Sequence, residues 1–269
     1  MTADAWVGLV MLPLLFLLEG LRPFYTARRG RWRHGGRNLG LGLISGVIGA
    51  LTSPLLVLVM AWSQSSEVGL RYLLGLGPVA GALVTFVLFD LWMYLWHRAN
   101  HRIALLWRLH RVHHTDPAMD ATTALRFHPG EILLSGLANA VVLPLLGMTL
   151  PVFIVYKSVM IAVILFHHSN VAVPLRVDHA LRLVLVPPSM HRIHHSERRA
   201  ETDSSYGTVF SIWDRLFGSY RRRADQHAIV FGIGRFGDDA WQRPLALLRL
   251  PLVGNAPARM PSDHRSQAR

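Results

Sequence analysis

Five long apolar blocks dominate this sequence and restrict it to a membrane-spanning helical fold. They cover residues 6–21, 39–62, 72–96, 132–148 and 150–166. An α-helix needs about 20 predominantly apolar residues to cross the hydrocarbon core of a bilayer. The second and third blocks reach this length, whereas the other three are shorter and would span with local thinning. Five spans, or four spans with a shallow interfacial hairpin at 131–169, satisfy the pattern equally well.

The composition agrees with this class and excludes several kinds of site. The chain has 269 residues, of which 51% are hydrophobic and only 16% are charged, whereas soluble domains average about 25% charged residues. The absence of cysteine excludes disulfides and thiolate metal ligands. The formal net charge of +12 comes almost entirely from arginine. Because the arginines flank apolar blocks without a nucleic-acid motif, we expect them to face anionic lipid and expect no nucleic-acid partner.

The distribution of arginine predicts the orientation of the helices. Segment 22–37 holds six arginines, and the tail after residue 171 is also rich in arginine. The loop at 63–71 holds one arginine against one glutamate. The positive-inside rule therefore places 22–37, 97–130 and the tail in the cytoplasm, and the 63–71 loop outside. The first block lacks a preceding basic stretch, so we expect a retained helix and not a signal peptide.

Histidines gather at the predicted cytoplasmic ends of these helices. The chain contains 15 histidines, and most fall in HRANH (97–101), HRVHH (110–114), FHHSN (166–170) and HRIHH (191–195). Spacings of three and four residues place the rings of one motif on one helix face. Gathered imidazoles repel if protonated, and need hydrogen-bond partners if neutral and buried. Such clusters indicate a site for Fe, Zn, Cu or Ni, and their number exceeds what one ion can bind, which favours two metals.

The remaining histidines have less specific surroundings. His128 and His168 are further candidate metal ligands, whereas His167 and His179 are weaker candidates and stay outside the predicted site. Single histidines near a membrane surface are expected to act as amphipathic anchors, and this interpretation applies to His34, His227 and His264.

Several motifs in one order resemble the fatty acid hydroxylase superfamily, which includes sterol desaturases, sterol C4-methyl oxidases and alkylglycerol monooxygenases. That family is built on HxxxH, HxxHH and a second HxxHH. Further matching stretches here are FDLWMYLWHRANH, ALRFHPGE and YGTVFSIWDRLFGSY, and the likeness extends over residues 80–220. The resemblance implies that the metal ligands are His97, His101, His110, His113, His114, His191, His194 and His195, and it extends this role to His128 and His168.

The resemblance also implies the chemistry. It indicates a membrane-bound di-iron enzyme that uses O₂ and external electrons to hydroxylate or desaturate a C–H bond of a fatty acyl, sterol or ether lipid. Zinc could replace iron, since imidazole sites bind both. No electron-carrier segment is visible in the sequence, so a separate donor of the ferredoxin or cytochrome b5 type is expected. The expected location is a bacterial inner membrane, with the site on the cytoplasmic face.

An alternative function is metal binding or transport across the membrane without redox catalysis. A transporter would place its metal-binding histidines near the bilayer midplane, along a path. The histidine motifs of this chain instead fall at the predicted membrane boundary and beyond it, which favours the oxygenase.

Two polar residues are candidates for supporting roles around the metals. Asp90 lies on the same predicted helix face as His97 and His101. It is expected to orient a ligand imidazole through the far ring nitrogen, or to contact Arg98 or Arg102.

Asn170 follows His168 by two residues and is expected to hold a metal-bound water. Glu131, three residues after His128, is expected to pair with Arg126.

The predicted fold is an all-α integral membrane helical bundle with a cytoplasmic helical cap that carries a histidine-rich di-metal site. Its segments are N-terminal transmembrane helices (1–96), a cytoplasmic segment with the first two histidine motifs (97–130), a transmembrane or interfacial hairpin (131–169), a cytoplasmic cap with the third motif (170–225) and a polar C-terminal tail (226–269).

Overall fold

Helices joined by short loops make up the protein over residues 3–26 and 30–254, the ranges that the computed structural model describes. The α-helices are α1 (Ala3–Leu21), α2 (Arg31–Ser65), α3 (Leu70–Leu73), α4 (Pro78–Arg102), α5 (Ala104–His114), α6 (Pro129–Leu146), α7 (Leu150–His168), α8 (Leu175–Leu181), α9 (Pro188–His194), α10 (Arg199–Thr202), α11 (Ile212–Leu216) and α12 (Pro244–Arg249). Within these ranges there is no β-strand, only isolated β-bridges. The all-α prediction is confirmed.

Five of the helices are long and apolar enough to cross a membrane, namely α1, α2, α4, α6 and α7. Only 11 to 28% of the most apolar stretch of each helix is buried inside the protein. Apolar side chains exposed to this extent need a non-aqueous surrounding, and lipid tails supply it. The helical membrane bundle predicted from the apolar blocks is therefore confirmed, with five helices.

The long helices pack in pairs around a common core. Helix α1 lies along α7, and α2 lies along α6. Met60, Phe89, Leu143, Phe153 and Tyr156 meet where α2, α4, α6 and α7 converge. A tight turn at Gly147, whose φ of 70° is in the left-handed region, ends α6 and reverses the chain into α7.

The boundaries predicted between segments differ from the ends of the helices. The third apolar block begins at residue 72, but α4 begins only at Pro78, after Gly77. Proline fits the first turn of a helix. Helix α4 then continues past residue 96 to Arg102. His97 and His101 consequently lie in its last two turns and share the rigidity of a long helix.

Much of the C-terminal segment, expected to be a polar tail from residue 226, packs against the bundle as far as it is described. Phe236, Leu247 and Leu250 are buried together with Leu41 of α2 and Val112 of α5. The segment carries an apolar face that its overall polarity hides. Arg111, which precedes Val112 in α5, donates a hydrogen bond from its guanidinium to the carbonyl of Leu250, 2.8 Å away.

A buried polar network fastens the loop after α5 to α2. The two ring nitrogens of His34 lie 2.9 Å from Asp120 and 2.7 Å from Asp116. Burial alone would raise the pKa of Asp116, but His34 and Arg126 together hold it well below its ordinary value. Arg126 is itself buried and donates to Asn38 of α2. His34, expected to be an interfacial anchor, is therefore part of the internal framework.

The arginine distribution generates a prediction about topology. Residues 65 and 200 are both exposed, and the chain has no native cysteine. An impermeant thiol reagent applied to intact cells should label Ser65→Cys, on the outer loop, and should miss Ala200→Cys, in the cap. Permeabilised cells provide the control, because both positions should then react. Labelling of Ala200→Cys alone in intact cells would reverse the orientation.

Candidate metal centre

The histidine motifs converge at one end of the bundle. The last two turns of α4 supply His97 and His101, the second half of α5 supplies the first HxxHH motif, and α9 with the residue after it supplies the second. His168 comes from the final turn of α7. All of these rings are buried except that of His97, which is partly exposed.

Nine of the histidines form two adjoining groups, each with candidate ligand atoms within 4.8 Å of one another. The five-histidine group contains His97, His101, His110, His114 and His194. The four-histidine group contains His113, His168, His191 and His195. Each HxxHH motif is divided between the two groups. The first gives two rings to the five-histidine group and one to the other, and the second motif does the reverse.

Ring nitrogens within the groups are unusually close. In the four-histidine group the Nε2 atom of His168 lies 3.0 Å from that of His113 and 2.9 Å from that of His191, which is 3.1 Å from Nε2 of His195. In the five-histidine group Nε2 of His114 lies 3.2 Å from Nε2 of His110. Two nitrogens bound to one ion at about 2.1 Å lie roughly 3 Å apart at a right angle. The spacing therefore fits shared ligation.

Four rings have the far nitrogen, Nδ1, fixed by a hydrogen bond. The pairs are His97 with the Tyr206 carbonyl at 2.8 Å, His194 with the Ser204 carbonyl at 2.8 Å, His168 with the Ile164 carbonyl at 2.8 Å and His110 with the Glu131 carboxylate at 2.7 Å. A carbonyl can only accept, so Nδ1 of three of these rings carries the proton and Nε2 keeps its lone pair. This is the tautomer that binds a metal through Nε2.

Burial keeps the rings of the cap in the same neutral form. Burial, followed by the neighbouring imidazoles, holds the pKa of His113, His114, His191 and His195 well below the ordinary value. Burial also lowers the pKa of His194 to about 3. Neutral imidazole is the ligand form, because protonation removes the lone pair that a metal needs. At neutral pH these five rings can bind a metal without first losing a proton.

Several buried nitrogens of the groups have no protein partner. Within the described ranges they include Nε2 of His194 and Nε2 of His101. An unpartnered polar atom in a buried site is costly. Lone pairs that converge on one point are satisfied together by a cation, so the donor set fits the metal centre that the sequence predicts.

Two residues lie at the groups that the sequence analysis places elsewhere. Glu131 contacts His110, not Arg126 as expected, because the start of α6 lies against α5. His167 is buried and stacks on His191 with ring centroids 3.8 Å apart. In the sequence, the only signals for these positions are that Glu131 lies at the start of a helix and that His167 and His168 end an apolar block.

The structure does not bring His128 to either group. Its Nδ1 accepts a hydrogen bond from the backbone N–H of Gly130 at 3.0 Å and so caps α6. Its Nε2 lies 3.2 Å from the carbonyl oxygen of Leu248 in the C-terminal segment. In this position His128 joins the start of α6 to that segment.

Asp90 and Asn170 also have other partners than those expected. Asp90 accepts hydrogen bonds from Tyr156 at 2.7 Å, from Trp213 at 2.8 Å and from the backbone N–H groups that follow the YGT stretch, at positions 209 and 210. Asn170 accepts from the backbone N–H of Tyr25 and donates to its carbonyl, both at 3.0 Å. Asp90 thus fastens the cap to α4 and α7, and Asn170 fastens the end of α1 to the end of α7.

The contacts of Asp90 predict a structural effect of its replacement. Asp90→Asn should lower the melting temperature, because an amide offers one acceptor oxygen to four donors and each buried donor left unpaired costs about 1–3 kcal/mol. The metal content of the folded fraction should not change, since Asp90 contacts no histidine. Loss of metal from folded Asp90→Asn protein would instead support the ligand-orienting role predicted from the sequence.

Comparison with known proteins agrees with the histidine motifs. The fatty acid hydroxylase family profile matches residues 82–219. Ornithine lipid hydroxylase OlsE of Rhizobium tropici is 32% identical over 157 residues, covering 58% of this chain and 46% of that protein. Human alkylglycerol monooxygenase is 30% identical, covering 54% of this chain and 31% of the relative. Human lathosterol oxidase is 27% identical, covering 55% of this chain and 47% of the relative.

The chain spans less than half the length of these curated relatives. No solved structure matches it. The matched residues contain both histidine groups together with α4 to α11, so the similarity is concentrated where the candidate metal centre lies.

Proposed function

The chain belongs to the fatty acid hydroxylase family, and we propose that it is a membrane-bound oxygenase that hydroxylates or desaturates a C–H bond of a lipid. The observation that carries the proposal is the pair of adjoining histidine groups, nine rings in all, at one end of five apolar helices. A metal centre at the ends of membrane helices can receive a lipid from the bilayer on one side and electrons from the aqueous side on the other.

We assign the metal ligands to the two histidine groups. The five-histidine group would hold one iron ion and the four-histidine group a second, with zinc as a substitute. When bound, iron supplies the O₂-dependent oxidation chemistry that amino-acid side chains cannot supply. The additional ligand role predicted for His128 would require this residue to leave the Gly130 and Leu248 contacts described above.

The residues around the groups prepare them for binding and exclude water. The carbonyls of Tyr206, Ser204 and Ile164 and the carboxylate of Glu131 orient four rings with Nε2 directed into the groups. Groups that orient ligand rings commonly change metal affinity by about 10–100-fold. The buried surroundings keep bulk water from the rings.

The class of substrate follows from the family and the membrane setting. The relatives are named for ornithine lipid, alkylglycerol and lathosterol, and the shared feature of these molecules is an aliphatic body in a membrane. Hydroxylation and desaturation each need two electrons from a separate donor. We place the site on the cytoplasmic face because the arginine-rich segments lie at the same end as the histidine groups.

The assignment of ligands predicts the metal content. Protein purified from iron-supplied cells should contain two metal ions per chain by elemental analysis. His113→Ala should empty the four-histidine group and His194→Ala the five-histidine group, each lowering the content toward one ion. Glu131→Gln should retain metal less firmly against a chelator. His264→Ala is the control, because His264 lies outside the described residues and outside every motif, and its metal content should match the wild type. A wild-type content of one ion or none in folded protein would refute the two-metal assignment.

The proposed activity predicts a change in the lipids of the host. Expression should add hydroxylated or unsaturated forms of at least one membrane lipid, measured by mass spectrometry of lipid extracts. His113→Ala and His194→Ala should abolish these products, since each removes a proposed ligand, while His264→Ala should retain them. Metal-loaded protein that leaves the lipids unchanged would favour the metal-binding or transport function instead.

A further inference from the structure

One ring of the five-histidine group lies just beneath a surface that is rich in arginine. Nδ1 of His101 is 3.5 Å from a carboxylate oxygen of Asp203, whose side chain is 19% exposed. Arg199 pairs with the same carboxylate at 3.3 Å, and its own side chain is 86% exposed. A single side chain, that of Asp203, therefore lies between a proposed metal ligand and an arginine in solvent.

Two arginines of α4 belong to the same surface. Arg98 and Arg102 are four residues apart, so they share one face of the last turns of this helix. The pKa of Tyr206 is raised to about 12, first by burial and then by Asp203, against the lowering effect of Arg102 and Arg98. These three charges consequently lie around one ring. We name Arg98, Arg102 and Arg199, with Asp203, the arginine patch.

The arginine patch has an excess of positive charge. Its three arginines face one carboxylate, so two positive charges stay uncompensated. Arg98 and Arg102 form no ion pair within residues 3–26 and 30–254, and Arg102 is exposed. Glu201, the acidic residue within α10, is already paired with Arg223 at 2.8 Å. A surface with this charge attracts an acidic partner.

Aromatic rings connect the patch to the five-histidine group. The centroid of the buried Tyr206 ring is 5.2 Å from that of His101. Trp107 is partly exposed, and its ring lies 5.0 Å from His101 and 5.5 Å from His114. Leu105, two residues before Trp107, is 67% exposed. Electron transfer between proteins slows steeply with distance, and a protein docked here would be one layer of side chains away from the group.

The patch projects out of the membrane. Helix α4 has 25 residues and a length of about 37 Å, whereas the hydrocarbon core is about 30 Å thick. Charged side chains are costly in hydrocarbon, so the turn between Arg98 and Arg102 is the part that leaves it. Arg199 lies on α10, which belongs to the cap and to none of the five apolar helices. The patch is therefore open to proteins of the aqueous phase.

We propose that the arginine patch is the docking site of an acidic one-electron carrier protein, and that electrons enter at the five-histidine group. This inference rests on the proposed function and names the class of partner that the function needs. Interfaces of electron carriers are small, often under about 1,200 Å². A few arginines around an exposed apolar side chain are sufficient for an interface of that size.

The stoichiometry of the reaction explains why the docking must be brief. Hydroxylation uses O₂, two electrons and two protons, and one oxygen atom enters the C–H bond while the other leaves as water. Desaturation uses the same electrons and protons, removes two hydrogen atoms from the lipid and releases both oxygen atoms as water. A one-electron carrier therefore docks twice in each turnover and is oxidised by one electron each time. Contacts between exposed charges suit such a weak and rapidly formed complex.

Docking can be measured without turnover. Zinc-loaded protein in a neutral detergent is titrated with an acidic [2Fe–2S] ferredoxin and, separately, with a basic cytochrome c. The ferredoxin should bind with a Kd on the order of micromolar at about 20 mM NaCl, and at least about tenfold more weakly at about 300 mM, because salt screens exposed charges. Cytochrome c should not bind. Equal binding of the two carriers, or no binding of the ferredoxin, would overturn the proposal.

Charge reversal locates the docking site. Arg102→Glu and Arg199→Glu should each weaken ferredoxin binding about tenfold, because the new charge repels an acidic partner. Arg176→Glu is the matched control and should bind as the wild type does, since Arg176 is exposed on α8 and lines a separate apolar groove. An equal loss in all three variants would replace the patch by a general surface charge. Unchanged binding in Arg102→Glu and Arg199→Glu would overturn the proposal, and loss of dioctanoyl phosphatidylglycerol binding in these variants would identify a lipid-contact surface instead.

The docking site and the oxygenase activity can fail separately. Iron-loaded wild-type protein mixed anaerobically with reduced ferredoxin should oxidise it, and Arg102→Glu should do so at least about tenfold more slowly. This difference, in protein that oxidises no lipid, would support the patch and refute the proposed function. Ferredoxin-driven lipid oxidation that is unchanged in Arg102→Glu would support the proposed function and refute the patch.

Discussion

Imidazole rings packed as closely as those of the two histidine groups must remain neutral, because protonated rings a few ångströms apart in a buried site repel strongly. Burial of the cap histidines enforces the neutral form. Neutral rings then need partners for their lone pairs, and the carbonyls of Tyr206, Ser204 and Ile164 engage only the far nitrogens. The ends of four helices and the surrounding cap are arranged around this requirement, which a bound cation meets.

The HxxHH spacing explains how two helices can serve two groups. Along α5, His110 and His114 are one turn apart and join the five-histidine group, while His113 points to the other group. In the second motif, at the end of α9, His191 and His195 join the four-histidine group, whereas His194 joins the five-histidine group. The two motifs thus interlock, and the arginine they share at the second position lies outside both groups. A displacement of either helix would disturb both groups at once.

Features set by local sequence were predictable, and features set by distant contacts were not. The apolar blocks predicted a bundle of five spans, or of four spans with an interfacial hairpin, and the histidine spacing predicted that the rings of the HxxxH and HxxHH motifs would gather. Apart from Tyr156, the partners of Asp90 lie about 120 residues later in the chain, at positions such as Phe210 and Trp213. The contact of His128 with Leu248 depends on how the C-terminal segment folds back. No periodicity in α4 or α6 contains that information, so the expected supporting roles rested on proximity in sequence alone.

The position of α9 depends on contacts at both of its faces. One face carries histidines of both groups, and the other holds Arg192 against Phe24. The Phe24 loop is joined to the end of α7 through Asn170, whose backbone carbonyl accepts from the Phe24 N–H at 2.7 Å. The end of α1, the end of α7 and α9 therefore each contact the other two. Helix α7 also supplies His168. Asn170 therefore influences the histidine groups by fixing the helices that carry them, without contacting any of the nine rings itself.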